Sequence, residues 1–281
     1  MKVNLIFGWL LVMVLLGSCV ENLPEENLIS IEEYFASNDT TGWHVQTTST
    51  GMYYRINSDV EGDLPVESDV VVSSVILADL NDIVLFDSQV SGNWHASLDE
   101  STFLTQGMIE AFKLIPAGGR ITAFIPHELG YGDRGLENAG ISSFEDFRMV
   151  VEHLRIKTTI PEYIEENELN AQEGENGLYY VILEEGNETL PQNGNEVIVH
   201  YTGTLLNDNE FDSSVGGQPF SFRVGSGEVI EGWDVGIKYF PEGSTGILLI
   251  PHQMGYGGFG TTTIPPYEHL KFEIEIVQVV Q

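Results

Sequence analysis

The sequence predicts an α+β protein with two tandem domains, each an antiparallel twisted sheet wrapped around one short helix. One observation is an internal repeat, because residues 116–132 read PAGGRITAFIPHELGYG and residues 241–257 read PEGSTGILLIPHQMGYG. A second is the alternation of apolar and charged side chains over residues 270–276, typical of a strand with one buried face. A third is residues 228–240, where apolar side chains recur every three or four positions, as in a short amphipathic helix. A helix packed on the concave face of such a sheet makes an α+β domain.

The period of this repeat is far longer than that of a solenoid. Tyr131 and Tyr256 are the central residues of the two Gly-Tyr-Gly motifs, and 256 minus 131 gives a period of 125 residues. Other segments match in the same order: GMYY at 51–54 with GLYY at 177–180, FDS at 86–88 with FDS at 211–213, and IEEY at 31–34 with IPEY at 160–163. Each copy is therefore predicted to be a whole domain, residues 46–159 and residues 177–281.

An acidic segment precedes each copy. Residues 19–45 combine acidic side chains with a short stretch of helical spacing, which predicts a tether that contains one small helix. Residues 160–176 are rich in Glu and Asn and have few apolar side chains. This composition predicts an exposed acidic linker whose charges repel one another, with a helical turn or two.

Residues 1–18 are predicted to be a lipoprotein signal peptide. The apolar run from Leu5 to Leu16 is shorter than the ~20 residues that a membrane-spanning helix needs. It ends in LGSC, which resembles a bacterial lipobox and would make Cys19, the only cysteine, the acylated first residue of the mature chain. The alternative is an ordinary signal peptide with an incidental cysteine. We expect contact with the membrane through this lipid anchor only, and Val20 in place of an aspartate favours the outer membrane of the cell envelope.

The charge of the chain excludes several classes of partner. Forty-three acidic residues and eleven basic residues give a net charge of −32. A field of this sign repels phosphate groups, so we expect neither nucleic acid nor an anionic lipid surface as a partner. The acidic surface provides solubility, and the alternative is that it attracts basic segments of client proteins.

The second copy carries seven short motifs in a fixed order. They are VHYTG at 199–203, FDSS at 211–214, PFSFRVG at 219–225, EVIEGWDVG at 228–236, GYG at 255–257, IPP at 264–266 and LKFEIEIV at 270–277. In this order, across about a hundred residues, they resemble the FKBP family of peptidyl-prolyl cis-trans isomerases. The resemblance implies an FKBP-like fold for both copies and isomerase activity on proline-containing polypeptide clients.

By this resemblance, one pocket of the second copy binds the proline. Trp233 would form its floor, and its wall would comprise Tyr201, Phe211, Phe220, Val229, Ile230, Ile264 and Phe272. The backbone N–H of Ile230 and the phenol of Tyr256 would hold carbonyl groups of the substrate. Asp212 would lie at the rim, with a positional and electrostatic role.

The chemistry needs no cofactor. Rotation about a prolyl amide faces a barrier of roughly 18–20 kcal/mol, because the planar amide is stabilised by resonance. The twisted transition state is less polar than the planar amide, so an apolar pocket with a few well-placed donors favours it over water. We therefore expect no nucleophile, no metal and no cofactor. His127 and His252 occupy equivalent positions after a proline, and we interpret them as loop or strand-end residues because no HxH or HxxxH spacing occurs.

Alternatives remain at this point. Each pocket aromatic could be an ordinary core residue of a strand. The chain could also be a non-catalytic chaperone or protein-interaction lipoprotein on the same scaffold, because one fold hosts many functions.

The first copy departs from the pattern of the second. Aligning the letters of the two copies places Ser74 at the position of Tyr201, Met108 at that of Trp233, Met149 at that of Phe272, and Ser142-Ser143 at that of Pro265-Pro266. The same alignment retains Phe86, Asp87 and Tyr131, with Trp94 near the place of Phe220. We therefore expect the second copy to carry the catalysis and the first copy to bind clients or to hold the catalyst away from the membrane.

Overall fold

A computed structural model describes residues 28–58, 60–99 and 104–281 of the chain. The predicted signal peptide and Cys19 lie outside the described residues. None of the helices in these ranges has the length and apolar composition that a membrane span requires.

The first unit, residues 28–157, contains a seven-stranded antiparallel sheet. Its strand order is β1-β2-β6-β7-β3-β4, and β5 pairs with β3 beside β4. The bounds are β1 (Gln46–Thr47), β2 (Tyr53–Ile56), β3 (Val70–Asp79), β4 (Val84–Asp87), β5 (Trp94–Ser97), β6 (Arg120–Ile125) and β7 (Phe147–Ile156). Its helices are α1 (Ile31–Ser37), α2 (Ser88–Ser91) and α3 (Gln106–Phe112).

The second unit, residues 160–281, repeats this topology. Its strand order is β8-β9-β13-β14-β10-β11, and β12 pairs with β10. The bounds are β8 (Gln172–Glu173), β9 (Tyr179–Glu184), β10 (Glu196–Leu205), β11 (Glu210–Ser213), β12 (Phe220–Arg223), β13 (Thr245–Ile250) and β14 (Leu270–Val280). Its helices are α4 (Ile160–Glu166) and α5 (Glu231–Gly236). The predicted α+β class is confirmed.

The central helix of the second unit is shorter than its apolar spacing predicts. The helix α5 begins at Glu231 rather than at 228, and a single 3-10 turn, Ile237–Tyr239, continues it. Trp233 and Ile237 are both buried in the core beneath the sheet. The positions of the apolar residues are therefore as predicted, while the segment before Glu231 forms the loop that leads into the helix.

The acidic segment 160–176 differs from the predicted exposed linker. Thr159 and Glu162 form a capping box that starts α4, and Pro161 occupies its first turn. Ile160 and Tyr163 are buried against Leu249 of β13. The apolar residues at the start of this segment thus bind it to the second sheet, and its acidic residues face solvent. The domain boundaries drawn from the sequence stay a prediction.

A buried histidine in the first unit makes its stability sensitive to acid. His153 Nδ1 lies 2.7 Å from Ser73 Oγ, and His153 Nε2 lies 2.8 Å from Phe112 O. Burial lowers the pKa of His153, because the charged ring is disfavoured away from water. The imidazole of an unfolded chain has a pKa of about 6.5, so below that pH the unfolded state binds more protons than the folded state. The free energy of unfolding must therefore decrease as the pH falls through this range.

We predict that His153→Gln reduces this acid sensitivity, although it lowers stability at neutral pH. The difference in slope between wild type and variant should reach at most about 1.4 kcal/mol per pH unit, the value for one proton. Urea unfolding followed by circular dichroism between pH 7.5 and pH 5 measures it. His44→Gln is the control, since it makes the same substitution at an exposed histidine of the same unit. Equal slopes for His153→Gln and wild type would contradict the prediction.

Candidate active site

An aromatic cluster on the concave face of the second sheet surrounds Trp233. The indole of Trp233 is only 4% exposed. Its ring centroid lies 5.1 Å from that of Tyr201 on β10 and 5.2 Å from that of Phe272 on β14, both edge to face. The ring of Phe220 on β12 lies 6.1 Å from it. Three strands and α5 therefore gather these rings around the indole, and we call the surface that they form the well.

The polar rim of this well is formed by two tyrosines and a carboxylate. Tyr201 donates its hydroxyl hydrogen to Asp212 Oδ2 at 2.6 Å. Burial and this hydrogen bond both raise the pKa of Tyr201. Burial, followed by the negative charge of Asp212, also raises the pKa of Tyr256. Both phenols are thus neutral donors at physiological pH, and Asp212 orients the first of them.

The structure brings all ten predicted pocket residues into this one cluster. Its members are Tyr201, Phe211, Asp212, Phe220, Val229, Ile230, Trp233, Tyr256, Ile264 and Phe272. Their individual roles stay a prediction.

A backbone donor without an acceptor among the described residues precedes α5. Ile230 is the N-cap of α5, and its N–H has no acceptor within the described part of the chain. The loop before it is fixed by Asp234, whose two carboxylate oxygens accept from Gly225 N at 2.8 Å and Gly227 N at 2.9 Å. Asp234 was not predicted as a site residue. A carboxylate in the first turn of a helix that begins after glycines is the signal that could have identified it.

Two further residues of the pocket were missed by the sequence interpretation. A Cβ atom on Gly203 of β10 would lie 2.7 Å from the ring of Phe211 and 2.8 Å from the ring of Phe272. Phe222 stacks on Phe220 at 5.8 Å and contacts the indole. A glycine inside a strand often marks a point where a neighbouring group approaches the backbone closely, which is the signal for Gly203. Phe222 lies two residues after Phe220 and so shares its strand face, which is the signal for Phe222.

The loop that joins β13 to β14 closes one side of the well, and we call residues 255–269 the rim loop. Ile264 lies in its middle and is 3% exposed in the pocket core. Tyr256 lies at its start and is 37% exposed. Phe259, between them, is 89% exposed and is therefore not part of the apolar wall.

The histidines that follow the two prolines have local partners. His127 Nδ1 lies 3.0 Å from Asp146 Oδ1, and the N–H of His252 donates to His269 Nδ1 at 3.1 Å. Among the residues that the structure describes, no group of three His, Cys, Asp or Glu side chains could hold a metal ion.

The equivalent site of the first unit shows that Val75, and not Ser74, occupies the position of Tyr201. The N–H of Val75 donates to Ser88 Oγ at 2.8 Å, and that of Tyr201 donates to Ser214 Oγ at 2.9 Å. The predicted match is therefore wrong by one residue, because it aligned letters and not the hydrogen bonds of the strands.

The same register changes the match of the two FDS motifs. Leu77 of β3 pairs with Phe86, and Gly203 of β10 pairs with Asp212. Leu77 and Gly203 are equivalent, because Leu77 lies two residues after Val75 on β3 and Gly203 lies two residues after Tyr201 on β10. Phe86 therefore takes the position of the rim carboxylate.

Asp87, the residue that the alignment had retained for this role, instead caps the N-terminus of α2. The expected replacement of Phe272 by Met149 is confirmed, because the two lie opposite the equivalent residues Gly203 and Leu77. Trp94 takes the position of Phe220, because they lie opposite the equivalent residues Ser73 and Val199.

Apolar side chains occupy the first unit's equivalent of the well. Val75, Met108 and Met149 are fully buried. The ring of Phe86 packs edge to face on that of Trp94 with centroids 5.1 Å apart. Among its described residues, the first unit thus places neither a carboxylate at the position of Asp212 nor a tyrosine at that of Tyr201.

The comparison with protein-family models places its match in the second unit. The family model described as FKBP-type peptidyl-prolyl cis-trans isomerase matches residues 187–277. FK506-binding protein 1 of Dictyostelium discoideum is 44% identical over 103 residues, which are 36% of this chain and 96% of that protein. The FK506-binding protein of Neisseria meningitidis serogroup B is 43% identical over 107 residues, 37% of this chain and 98% of that protein.

A longer relative matches over part of its length. The FKBP-type peptidyl-prolyl cis-trans isomerase FkpA of Escherichia coli is 39% identical over 104 residues, 37% of this chain and 38% of that protein. The crystal structure of FkpA from E. coli aligns with a TM-score of 0.39 and 36% identity, over 43% of this chain and 57% of that chain.

We predict that Gly203→Ala lowers the free energy of unfolding by about 1–3 kcal/mol, because the new methyl group forces the rings of Phe211 and Phe272 from their positions. Urea unfolding of the whole chain measures the loss. Gly217→Ala is the matched control, since its Cβ would meet only Ser214 O at 3.5 Å, an ordinary contact. An effect of Gly203→Ala no larger than that of the control would show that the close approach has no energetic consequence.

Proposed function

The chain belongs to the FKBP-type peptidyl-prolyl cis-trans isomerase family, and we propose that its second unit catalyses cis–trans exchange at X-Pro bonds of exported polypeptides. The observation that carries this proposal is the well above Trp233, with the hydrogen bond between Tyr201 and Asp212 at its rim. The family model that matches residues 187–277 supports placing the activity there.

The apolar well supplies the main catalytic effect. A proline ring that rests on the indole of Trp233 would be enclosed by the rings of Tyr201, Phe220 and Phe272. Exclusion of water raises the free energy of the planar, polar amide relative to its twisted form, which has lost conjugation. Only an interaction that is stronger in the transition state accelerates the exchange, and an apolar wall satisfies this condition.

The rim donors fix the flanking carbonyl groups. The N–H of Ile230 and the hydroxyl of Tyr256 would both donate to the substrate. Asp212 orients Tyr201 by accepting its hydroxyl hydrogen and takes no part in proton transfer. Cis–trans exchange needs no net proton transfer, so neutral donors of raised pKa suit it.

The first unit suits binding better than catalysis. Phe86 and Trp94 leave part of their rings exposed above the buried Met108 and Met149. Methionine is flexible, so this surface adapts to varied apolar segments but does not form a rigid wall around one twisted amide. We propose that the first unit binds client chains weakly and presents them to the second unit. The non-catalytic binding role considered above as an alternative for the whole chain would then apply to the first unit only.

The site of action in the cell is the envelope. We propose that Cys19 carries the lipid and that the segment between Cys19 and the first unit tethers it to the outer membrane. We propose further that the clients are chains that have crossed the inner membrane. The support for this is the LGSC sequence at the end of the apolar leader.

We predict that Tyr256→Phe lowers kcat/KM on proline peptides several-fold with little change in the melting temperature. The variant removes one neutral hydrogen bond, which contributes about 0.5–1.5 kcal/mol, and 1.36 kcal/mol corresponds to a tenfold change in rate. The equivalent residue of the first unit gives a matched control, since Tyr131→Phe should leave the rate of the whole chain unchanged. An NMR exchange assay on peptides with one X-Pro bond avoids a coupled protease.

Two outcomes would count against the proposal. A wild-type chain that does not accelerate exchange on any peptide of the series would refute isomerase function. Equal losses for Tyr256→Phe and Tyr131→Phe would refute the assignment of the activity to the second unit.

We predict that Cys19→Ser releases the protein from the membrane fraction, because the side chain that accepts the lipid is absent. Cell fractionation and incorporation of a labelled fatty acid measure the result, and Ser18→Ala serves as a control that keeps the cysteine. A Cys19→Ser protein that still incorporates the label and sediments with membranes would refute the lipid anchor.

A further inference from the structure

The rim loop of the second unit is held by a lysine of the first unit. The ammonium group of Lys157 donates to the backbone carbonyl of Pro266 at 2.6 Å and to Glu268 Oε1 at 2.7 Å. Lys157 follows β7, and its N–H still donates to Val70 O of β3 at 2.8 Å. Arg155 adds a contact of 3.3 Å to the same carboxylate oxygen. Two of the eleven basic residues of this acidic chain thus meet one loop of the other unit.

This contact is shielded from water. The side chain of Lys157 is 3% exposed, and that of Glu268 is 10% exposed. Burial lowers the pKa of Lys157 to about 8, although Glu268 opposes the shift. His95 of β5 also lies against Pro266, and burial together with the Lys157 charge lowers its pKa to about 4, so it is a neutral neighbour. A buried ion pair adds little net stability, because desolvation offsets the attraction, but it demands one geometry.

The contact leads from Lys157 to Tyr256. Pro266 and Glu268 flank Tyr267, whose N–H donates to Gly257 O at 2.8 Å. Tyr267 has a φ of +56°, in the left-handed region that a non-glycine residue adopts at a cost. Support on both sides of Tyr267 therefore keeps the backbone next to Tyr256 in place.

The same contact also bears on the apolar wall. Ile264 is two residues before Pro266, and its carbonyl accepts from Thr261 N at 2.7 Å. Its side chain is 3% exposed in the pocket core. A shift of Pro266 would thus move Ile264 as well.

The corresponding loop of the first unit is held differently. The N–H of Phe144 donates to Gly132 O at 2.8 Å, as that of Tyr267 does to Gly257 O. Glu145, the residue after Phe144, accepts from the N–H of Ser142 within its own loop. In the rim loop the equivalent carboxylate, Glu268, faces the other unit instead.

We propose that Lys157 of the first unit is a positioning residue for the pocket of the second unit, because it fixes the rim loop that carries Tyr256 and Ile264. This inference rests on the proposed function, since the pocket in question is that of the isomerase. Lys157 would then contribute to catalysis without itself touching the substrate.

The test uses the mature full-length chain. Lys157→Met keeps the apolar stem and removes the ammonium group, and we expect kcat/KM to fall roughly 2- to 30-fold, the range for residues that modulate a site they do not touch. We also expect faster hydrogen exchange of the Tyr267 amide. Lys157→Arg keeps the positive charge, so its kcat/KM and its Tyr267 amide exchange should both lie close to the wild-type values. Lys113→Met is the matched control, because Lys113 pairs with Glu67 at 3.8 Å within the first unit.

The outcomes are distinct. Unchanged kcat/KM and unchanged exchange at Tyr267 in Lys157→Met would overturn the proposal, and so would an equal loss in Lys113→Met. If Lys157→Met does not fold, hydrogen exchange of the Tyr267 amide is measured in Glu268→Gln instead. We expect faster exchange than in wild type, and unchanged exchange would contradict the proposal. A wild-type chain without isomerase activity would refute the proposed function, while the exchange measurement would still decide whether Lys157 holds the loop.

Discussion

The close contact between helix α5 and strand β13 sets the depth of the pocket. A Cβ atom on Gly232 would lie 2.3 Å from Ile250, and one on Gly236 would lie 2.6 Å from Leu248. No side chain fits between helix and strand at these two points. Trp233 directly follows Gly232, so this close contact places its indole against aromatic rings from three different strands. The first unit keeps this constraint, since a Cβ atom on Gly107 would lie 2.6 Å from Ile125. The two units share a framework, and what differs is the side chain that the framework presents.

Much of this could be predicted from the sequence. The repeat, the strand alternation and the ordered motifs identified the α+β class and the ten residues that the structure gathers around Trp233. The failures are local. The first unit has Val75 and Phe86 where Tyr201 and Asp212 lie in the second, because a strand register is set by hydrogen bonds that letters do not show. A slip of one residue moves a side chain to the other face of the sheet. The letter alignment therefore assigned Asp87 to the rim, where the structure places Phe86.

The acidic linker shows a second limit of composition. Residues 160–176 carry enough Glu to predict an exposed segment, yet Ile160 and Tyr163 bind it to the second sheet. Tyr34 of the first unit packs in the same way on Phe124, with ring centroids 5.3 Å apart. Two buried residues per segment are enough to determine its position, because the acidic residues between them can remain in water. Each unit thus includes the helix that precedes its sheet.

The junction between the units has an energetic consequence. Lys157 and Glu268 are both removed from water, and a pair of apolar residues of the same volume would stabilise such a position equally well or better. Apolar residues, however, would tolerate sliding, whereas an ammonium group between a carbonyl oxygen and a carboxylate does not. The distances of 2.6 and 2.7 Å therefore restrict the geometry of one loop more than they add to stability. A catalyst that encloses a twisted amide needs such a restriction, because its pocket favours the transition state only while the side chains that line it keep their positions.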